Sequence, residues 1–206
     1  MLSRVLPVAI VAFLLCGCST LGVTAHIAGH GSSPATVPKP KGMPGIIKAS
    51  IAGSRPVPGR VYFPPGTPVS AADIGTRAVG SGRVVYGLAN RRAYLGSVWP
   101  VISTDGGLHW QIDGPAFYFA GASGPSVTDR IGARGARMAW AWGNSGNFVK
   151  VTTDGGRHWY IADFPAGVKS VSWQAGRLTA LAYWNGLHVF RYVSPDNGRT
   201  WRSQHS

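Results

Sequence analysis

The chain contains no glutamate. Its seven acidic residues are all aspartates, set against 20 Lys and Arg, for a formal charge of +13 over 206 residues. Charged residues make up only 13% of the chain, about half the usual share. Any chemistry that needs a glutamate is therefore excluded. Cysteine is almost absent: Cys16 and Cys18 are the only two. That excludes a disulfide scaffold and a thiolate metal cage. The main apolar run, residues 5–17, is shorter than the ~20 residues that span a bilayer. No stretch carries a helical period. What is abundant is Gly, at 29, and Pro, at 15, within a chain that is 45% hydrophobic. That apolar share argues against wholesale disorder.

The N-terminus reads MLSRVLPVAIVAFLLCGCST. Arg4 followed by an apolar run is the pattern of a secretory signal peptide. The run ends in Leu15-Cys16-Gly17-Cys18, which resembles the bacterial lipobox. The resemblance implies cleavage after Gly17 and lipidation of Cys18, hence an extracytoplasmic protein anchored to the membrane. A plain signal peptide or an uncleaved anchor are the alternatives. Cleavage would discard Cys16, leaving a mature domain without a free thiol. Residues 18–45 are rich in Gly, Pro and Ser and read as a tether. Nine of the 15 prolines fall between Pro34 and Pro68, and proline lacks the N–H that a strand ladder needs. Residues 46–51 and 60–63 are expected to form short edge strands, with a turn at 64–68.

A rhythm begins near residue 72. The runs 82–89, 136–143 and 176–184 are short, apolar and opened by a small residue and an arginine. Each is followed by a turn and a second strand, at 94–103, 148–153 and 187–194. Another candidate strand precedes each unit, at 74–79, 126–131 and 168–173. Each second strand runs into the same pattern, [Ser/Thr]-x-Asp-x-Gly-x-x-Trp. The three copies are STDGGLHW, TTDGGRHW and SPDNGRTW, with Asp105, Asp154 and Asp196 spaced 49 and 42 residues apart. A four-stranded unit at such spacing is the signature of a β-propeller blade. The expected fold is all-β, a propeller-like array of about three four-stranded blades over residues 46–206. Whether residues 46–71 add part of a fourth blade, or the arc stays open, is not fixed by the sequence.

The motif has a physical purpose. Ser103, Thr152 and Ser194 offer a hydroxyl, and the aspartates accept from N–H groups ahead of them. Gly107, Gly156 and Gly198 permit positive φ. Trp110, Trp159 and Trp201 return onto the sheet, each ring contributing ~2–3 kcal/mol on burial. The pattern resembles the Asp-box, or bacterial neuraminidase repeat, of sialidases, photosystem assembly factors and non-enzymatic secreted propellers. The resemblance covers about residues 72–206 and implies a structural role for all twelve positions. His109 and His158 share one motif position, which is Thr200 in the third copy, as expected of a tolerant loop site.

The resemblance also allows sialidase activity to be tested. Those enzymes use an arginine triad, an Arg-Ile-Pro motif and a tyrosine activated by glutamate. Here Arg130-Ile131 is followed by Gly132, and there is no glutamate to pair with a tyrosine. A divergent glycoside hydrolase would still need two carboxylates, for which Asp73, Asp113, Asp129 and Asp163 remain. GNSGN at 143–147 lacks the spacing of a nucleophile elbow, and GSGRVV at 80–85 lacks the third glycine of a dinucleotide loop. His26 and His30 lie in the tether, where solvation is expected, and His188 lies in a strand. No catalytic residue, metal or cofactor is expected.

A binding role remains. Loss of Arg4 leaves 19 basic residues against seven acids, a net charge of +12. Outside the cytoplasm the anionic partners are lipid headgroups, envelope polymers and acidic glycans; the compartment argues against nucleic acid. Trp173 and Trp184 are candidate ligand platforms, and Arg91, Arg92, Arg137 and Arg177 candidate partners for carboxylate or phosphate. Trp140 and Trp142 are expected in the core. The competing readings are a scaffold for a membrane-protein complex and the divergent hydrolase. An open arc would also invite self-association. The missing glutamates suit an acidic habitat equally well, where carboxylates lose their pairing value.

Overall fold

The computed structural model describes residues 44–52, 62–89, 97–117, 129–143, 147–184 and 188–204. These fold into three antiparallel five-stranded sheets. The first holds β3 (Pro68–Val69), β4 (Ile74–Val79), β5 (Val85–Ala89), β6 (Trp99–Ser103) and β7 (Trp110–Ile112). The second holds β2 (Ser50–Ile51), β8 (Arg130–Arg134), β9 (Met138–Trp142), β10 (Phe148–Thr152) and β11 (Tyr160–Asp163). The third holds β1 (Ile46–Lys48), β12 (Gly167–Gln174), β13 (Arg177–Trp184), β14 (His188–Ser194) and β15 (Thr200–Gln204). Cys18 and the signal and tether segments lie outside the described residues. Among the described residues no helix is long and apolar enough to cross a membrane.

The repeat supplies four strands of each sheet as a simple meander, for example β4-β5-β6-β7. The fifth strand corrects the sequence reading. Residues 46–51 and 68–69 form no part of a fourth blade. They supply β1, β2 and β3, edge pieces of a strap that pair with the third, second and first sheets in turn. Ile47 pairs with Trp201, Ile51 with Tyr160 and Val69 with Trp110. Residues 46–51 are thus not one strand: Ala49 marks the step from the third sheet to the second, its N–H donating to Arg199 O at 2.8 Å. Residues 62–63, expected in a strand, instead set Tyr62 and Phe63 edge-on to Trp99, at 6.3 and 5.2 Å. The physical reason is the edge itself. β7, β11 and β15 would each leave unpaired N–H and C=O groups, and short edge pieces satisfy them. Proline is tolerated at the first position of such a strand, where Pro68 sits.

Two apolar layers join the sheets. Between the first and second lie Tyr86, Leu88, Ile102, Phe117, Phe148 and Trp159. Between the second and third lie Trp140, Val151, Phe164, Leu178, Tyr192 and Trp201. β9 serves both layers by alternation, with Ala139 and Ala141 toward the first sheet and Trp140 toward the third. Trp140 is in the core as expected, and Trp142 is half-buried. Their indole N–H groups donate to Val171 O (3.3 Å) and Lys169 O (3.2 Å) on β12. A third cluster, with Trp99, Val101 and Trp110, covers the outer face of the first sheet under Phe63 and Val69.

The motif glycines take part in this packing. All three have positive φ, between 89° and 96°. A Cβ on Gly198 would lie 2.5 Å from Val151 of the preceding sheet, and one on Gly156 would collide with the Asp113 carboxyl. Among the described residues, at Gly107 it would meet only the motif's own Trp110, at 3.5 Å. Gly107→Ala therefore carries the backbone cost alone, about 1–3 kcal/mol. Gly198→Ala adds overpacking of a further ~1–3 kcal/mol. Urea unfolding of the two variants should rank Gly198→Ala as clearly the more destabilised; equal losses would refute the packing role.

Candidate anion-binding face

Each motif closes on itself through one hydroxyl and one carboxylate. In the first copy Ser103 Oγ donates to Asp105 Oδ1 (2.7 Å) and accepts from the Gly107 N–H (2.8 Å). Asp105 Oδ1 also accepts from the N–H groups of Leu108 (3.1 Å) and His109 (3.0 Å). Thr152 with Asp154 and Ser194 with Asp196 repeat the contact, at 3.0 and 2.8 Å. The indoles of Trp110 and Trp201 donate back to Gly107 O (2.9 Å) and Gly198 O (3.0 Å). Trp159 instead reaches the neighbouring sheet, at Asp113 O (2.9 Å). In the third copy Asn197 replaces a glycine at φ 57°, a conformation asparagine tolerates.

These bonds fix the charge of the aspartates. The His109 N–H, then the Ser103 hydroxyl and the His109 ring, hold the Asp105 carboxyl well below the usual range. Burial opposes ionisation of Asp154, but hydrogen bonds from His158 and Thr152 outweigh it and lower its pKa. Asp196 is lowered in the same way, against burial, by Thr200 and Ser194. His109 and His158 each contact the motif carboxylate through Nδ1 at 2.6 Å. All three carboxylates are thus turned inward on their own loops.

The same end of the sheets is edged with arginine. The hairpin joining the first two repeat strands lies beside the motif turn, because the N–H groups of Gly106 and Gly155 donate to Arg83 O and Arg137 O, both at 2.8 Å. Arg83, Arg137 and Arg177 hold one repeat position at these hairpins and are exposed. Neighbouring hairpins touch. Tyr86 Oη donates to Ala136 O (2.8 Å), and the Arg134 guanidinium lies 4.2 Å over the Trp173 ring. The motif turns add Arg157 and Arg199, also exposed. Six guanidiniums therefore share one end with three internally bonded carboxylates.

Their partners orient them without neutralising them. Arg83 Nη2 donates to Asp105 O (3.0 Å), and Arg199 Nη2 donates to Tyr160 Oη (3.3 Å) while lying 4.7 Å over that ring. Among the described residues the ion pairs are the two His–Asp contacts of the motifs. No group of three His, Cys, Asp or Glu among those residues is placed to hold a metal.

Of the sequence candidates, Arg137 and Arg177 come together here. Trp173 joins them in a changed role. Its ring packs on the core and lies under Arg134, so it supports a guanidinium instead of offering an open face. Trp184 ends β13 at the far end from Arg177, and its side chain is outside the described residues, as are Arg91 and Arg92. Sequence reasoning passed over Arg83, Arg157 and Arg199, although aligning the repeats exposes all three. Arg134 had no such signal, since its partner lies in another sheet.

Two of the spare aspartates are buried instead of being presented on this face. Asp113 is set against Gly156 between the first and second sheets, pushed up to about 8 by burial and then by Asp154. Asp129 is 1% exposed, and among the described residues neither carboxyl oxygen has a hydrogen-bond partner. Burial pushes it up to about 6, against Arg130. On β10, Lys150 is buried with Nζ 4.3 Å over Phe117, and burial pushes it down to about 7, against Asp163.

These shifts set a pH profile. Asp113 and Asp129 bind protons more tightly when folded. Their contribution is full below about pH 4 and is lost as pH rises through about 6 and about 8. Lys150 acts oppositely, its contribution being lost as pH falls through about 7. The motif aspartates weaken the fold only below about pH 4. The thermal midpoint should peak near pH 4–5 and fall by roughly 5 °C toward pH 8. Asp113→Asn should flatten that fall; a midpoint that rises from pH 5 to 8 would refute the assignment.

Comparison with family models, characterised proteins and solved structures finds no match for this chain.

Proposed function

We propose that the chain is a membrane-anchored, extracytoplasmic lipoprotein whose three-sheet domain is a non-enzymatic binding module for an anionic envelope polymer. One observation carries this reading: six exposed arginines share one end of the fold, where the three motif aspartates are bonded within their own loops and Asp113 is buried against Gly156. A row of such groups suits a polymer that repeats its charge. Guanidinium forks match carboxylate and phosphate geometry. The twelve motif residues serve as the frame that presents this edge, as in the Asp-box propellers the motif resembles.

The full-length chain in detergent should bind polygalacturonate or a teichoic-acid polymer and ignore dextran. Replacing Arg83, Arg137 and Arg177 together by alanine should weaken binding about tenfold, or ~1.4 kcal/mol, and reduce its salt sensitivity. Unchanged affinity in the triple variant would remove the arginine edge from the function. The anchor is tested separately: Cys18→Ser should abolish incorporation of labelled fatty acid and shift the protein out of the membrane fraction. Retained label would refute lipidation at Cys18.

A further inference from the structure

The motif end of the sheets carries more than arginine. Among the described residues six large hydrophobic side chains are exposed, and Val79 (71%) and Leu108 (70%) exceed the rest. Both lie at this end. Val79 is the last residue of β4, where the chain enters the hairpin that holds Arg83. Leu108 lies in the first motif turn. That turn is tied to the same hairpin by the Gly106 N–H on Arg83 O (2.8 Å) and by Arg83 Nη2 on Asp105 O (3.0 Å). Two large aliphatic side chains and a guanidinium therefore share one corner. The other four exposed hydrophobics lie elsewhere: Ile46 and Ile51 in β1 and β2, Tyr62 edge-on to Trp99, and Val189 in the half of β14 remote from its motif.

The rest of this end is of one character. The hairpin tips are small, at Ser81-Gly82, Gly135-Ala136 and Ala175-Gly176. Ala136 and Ala175 are exposed, as is Pro195 in the third motif turn. The first two hairpins are in close contact, since a Cβ on Gly80 would lie 2.4 Å from Gly135 O. Guanidiniums, short tips and two large aliphatics thus make up the surface. The opposite end mixes charges of both signs, with Arg130, Lys169 and Asp163 all exposed there.

This pairing of groups suits a boundary where anionic charge overlies hydrocarbon. A soluble polymer would engage the guanidiniums but give Val79 and Leu108 nothing to enter. At a bilayer surface, buried apolar area adds to the attraction for anionic lipid. Arginine methylenes can lie along the apolar boundary while the guanidinium stays with phosphate.

We propose that the motif end docks on an anionic phospholipid bilayer, with Arg83 and its neighbours on headgroup phosphates and Val79 and Leu108 in the acyl boundary. The inference rests on the reading of this end as an anion-binding face. It adds that bilayer and polymer compete for the same guanidiniums.

Orientation of the full-length chain on vesicles carrying a lipid-borne quencher tests it, because the proposed N-terminal anchor holds the chain there whichever end faces the lipid. A fluorescent amino acid in place of Ser81 reports the motif end, and one in place of Asn147 the opposite end. With phosphatidylglycerol present, quenching should be about twofold greater at Ser81 than at Asn147. The excess should vanish in pure phosphatidylcholine and in ~1 M salt, where the screening length is ~3 Å. Val79→Ser with Leu108→Ser should remove the excess and leave polygalacturonate or teichoic-acid binding unchanged. Alanine at Arg83, Arg137 and Arg177 together should remove the excess and weaken polymer binding. Equal quenching at the two positions, an excess indifferent to phosphatidylglycerol, or one that survives the Val79 and Leu108 substitutions would overturn the docking. Polymer binding that persists in that case leaves the polymer reading standing, whereas its loss as well would sink both.

Discussion

The hydrogen bond from a motif hydroxyl to a motif carboxylate is the constraint on which the rest of the fold depends. It turns each aspartate back over its own loop, where the carboxylate collects the N–H groups that a tight turn leaves unsatisfied. The loop then returns the chain with its tryptophan aimed at the neighbouring surface. Trp159 and Trp201 form the centres of the two layers that join the sheets. A domain with no cysteine after Cys18 needs this local definition, since no disulfide can hold it.

The same bond sorts charge. Carboxylates that might have neutralised the arginines are committed to their loops, while the arginines at the adjoining hairpins rest on carbonyls and aromatic rings. The result is a fixed field of one sign along one end. The interior takes the other course: Asp113, Asp129 and Lys150 are set among apolar side chains, where burial drives each toward its neutral form. The two aspartates are neutral in mildly acidic surroundings, whereas Lys150 is neutral only above about pH 7.

Much of this was legible in the sequence because the repeat prints it three times. Most meander strands, the turns and the burial of Trp110, Trp159 and Trp201 follow from spacing and residue type, but β8 is Arg130–Arg134 where the expected strand is 126–131, since its bounds are set by pairing with Met138–Trp142. Ile74–Val79 is a strand as expected, and β9 is buried on both faces as MAWAW suggests. The strap was not legible, since its pieces are two or three residues long and carry no period of their own. Their conformation is dictated by edges far away in sequence. The pairing of Arg134 with Trp173 was hidden for the same reason: it joins two sheets through residues that occur once. Local chemistry repeats and can be read; contacts between unlike parts of the chain cannot.

The strap also sets the order in which the molecule can be completed. Ile47 pairs with Trp201, about 150 residues later in the chain. A segment made first must therefore wait for the segment made last. As the chain is made, the meanders can form one after another, because their contacts are local. The first strand has no ladder to join until the C-terminal strand has arrived. Closure of this edge therefore waits on the C-terminal strand, however early the first strand is made.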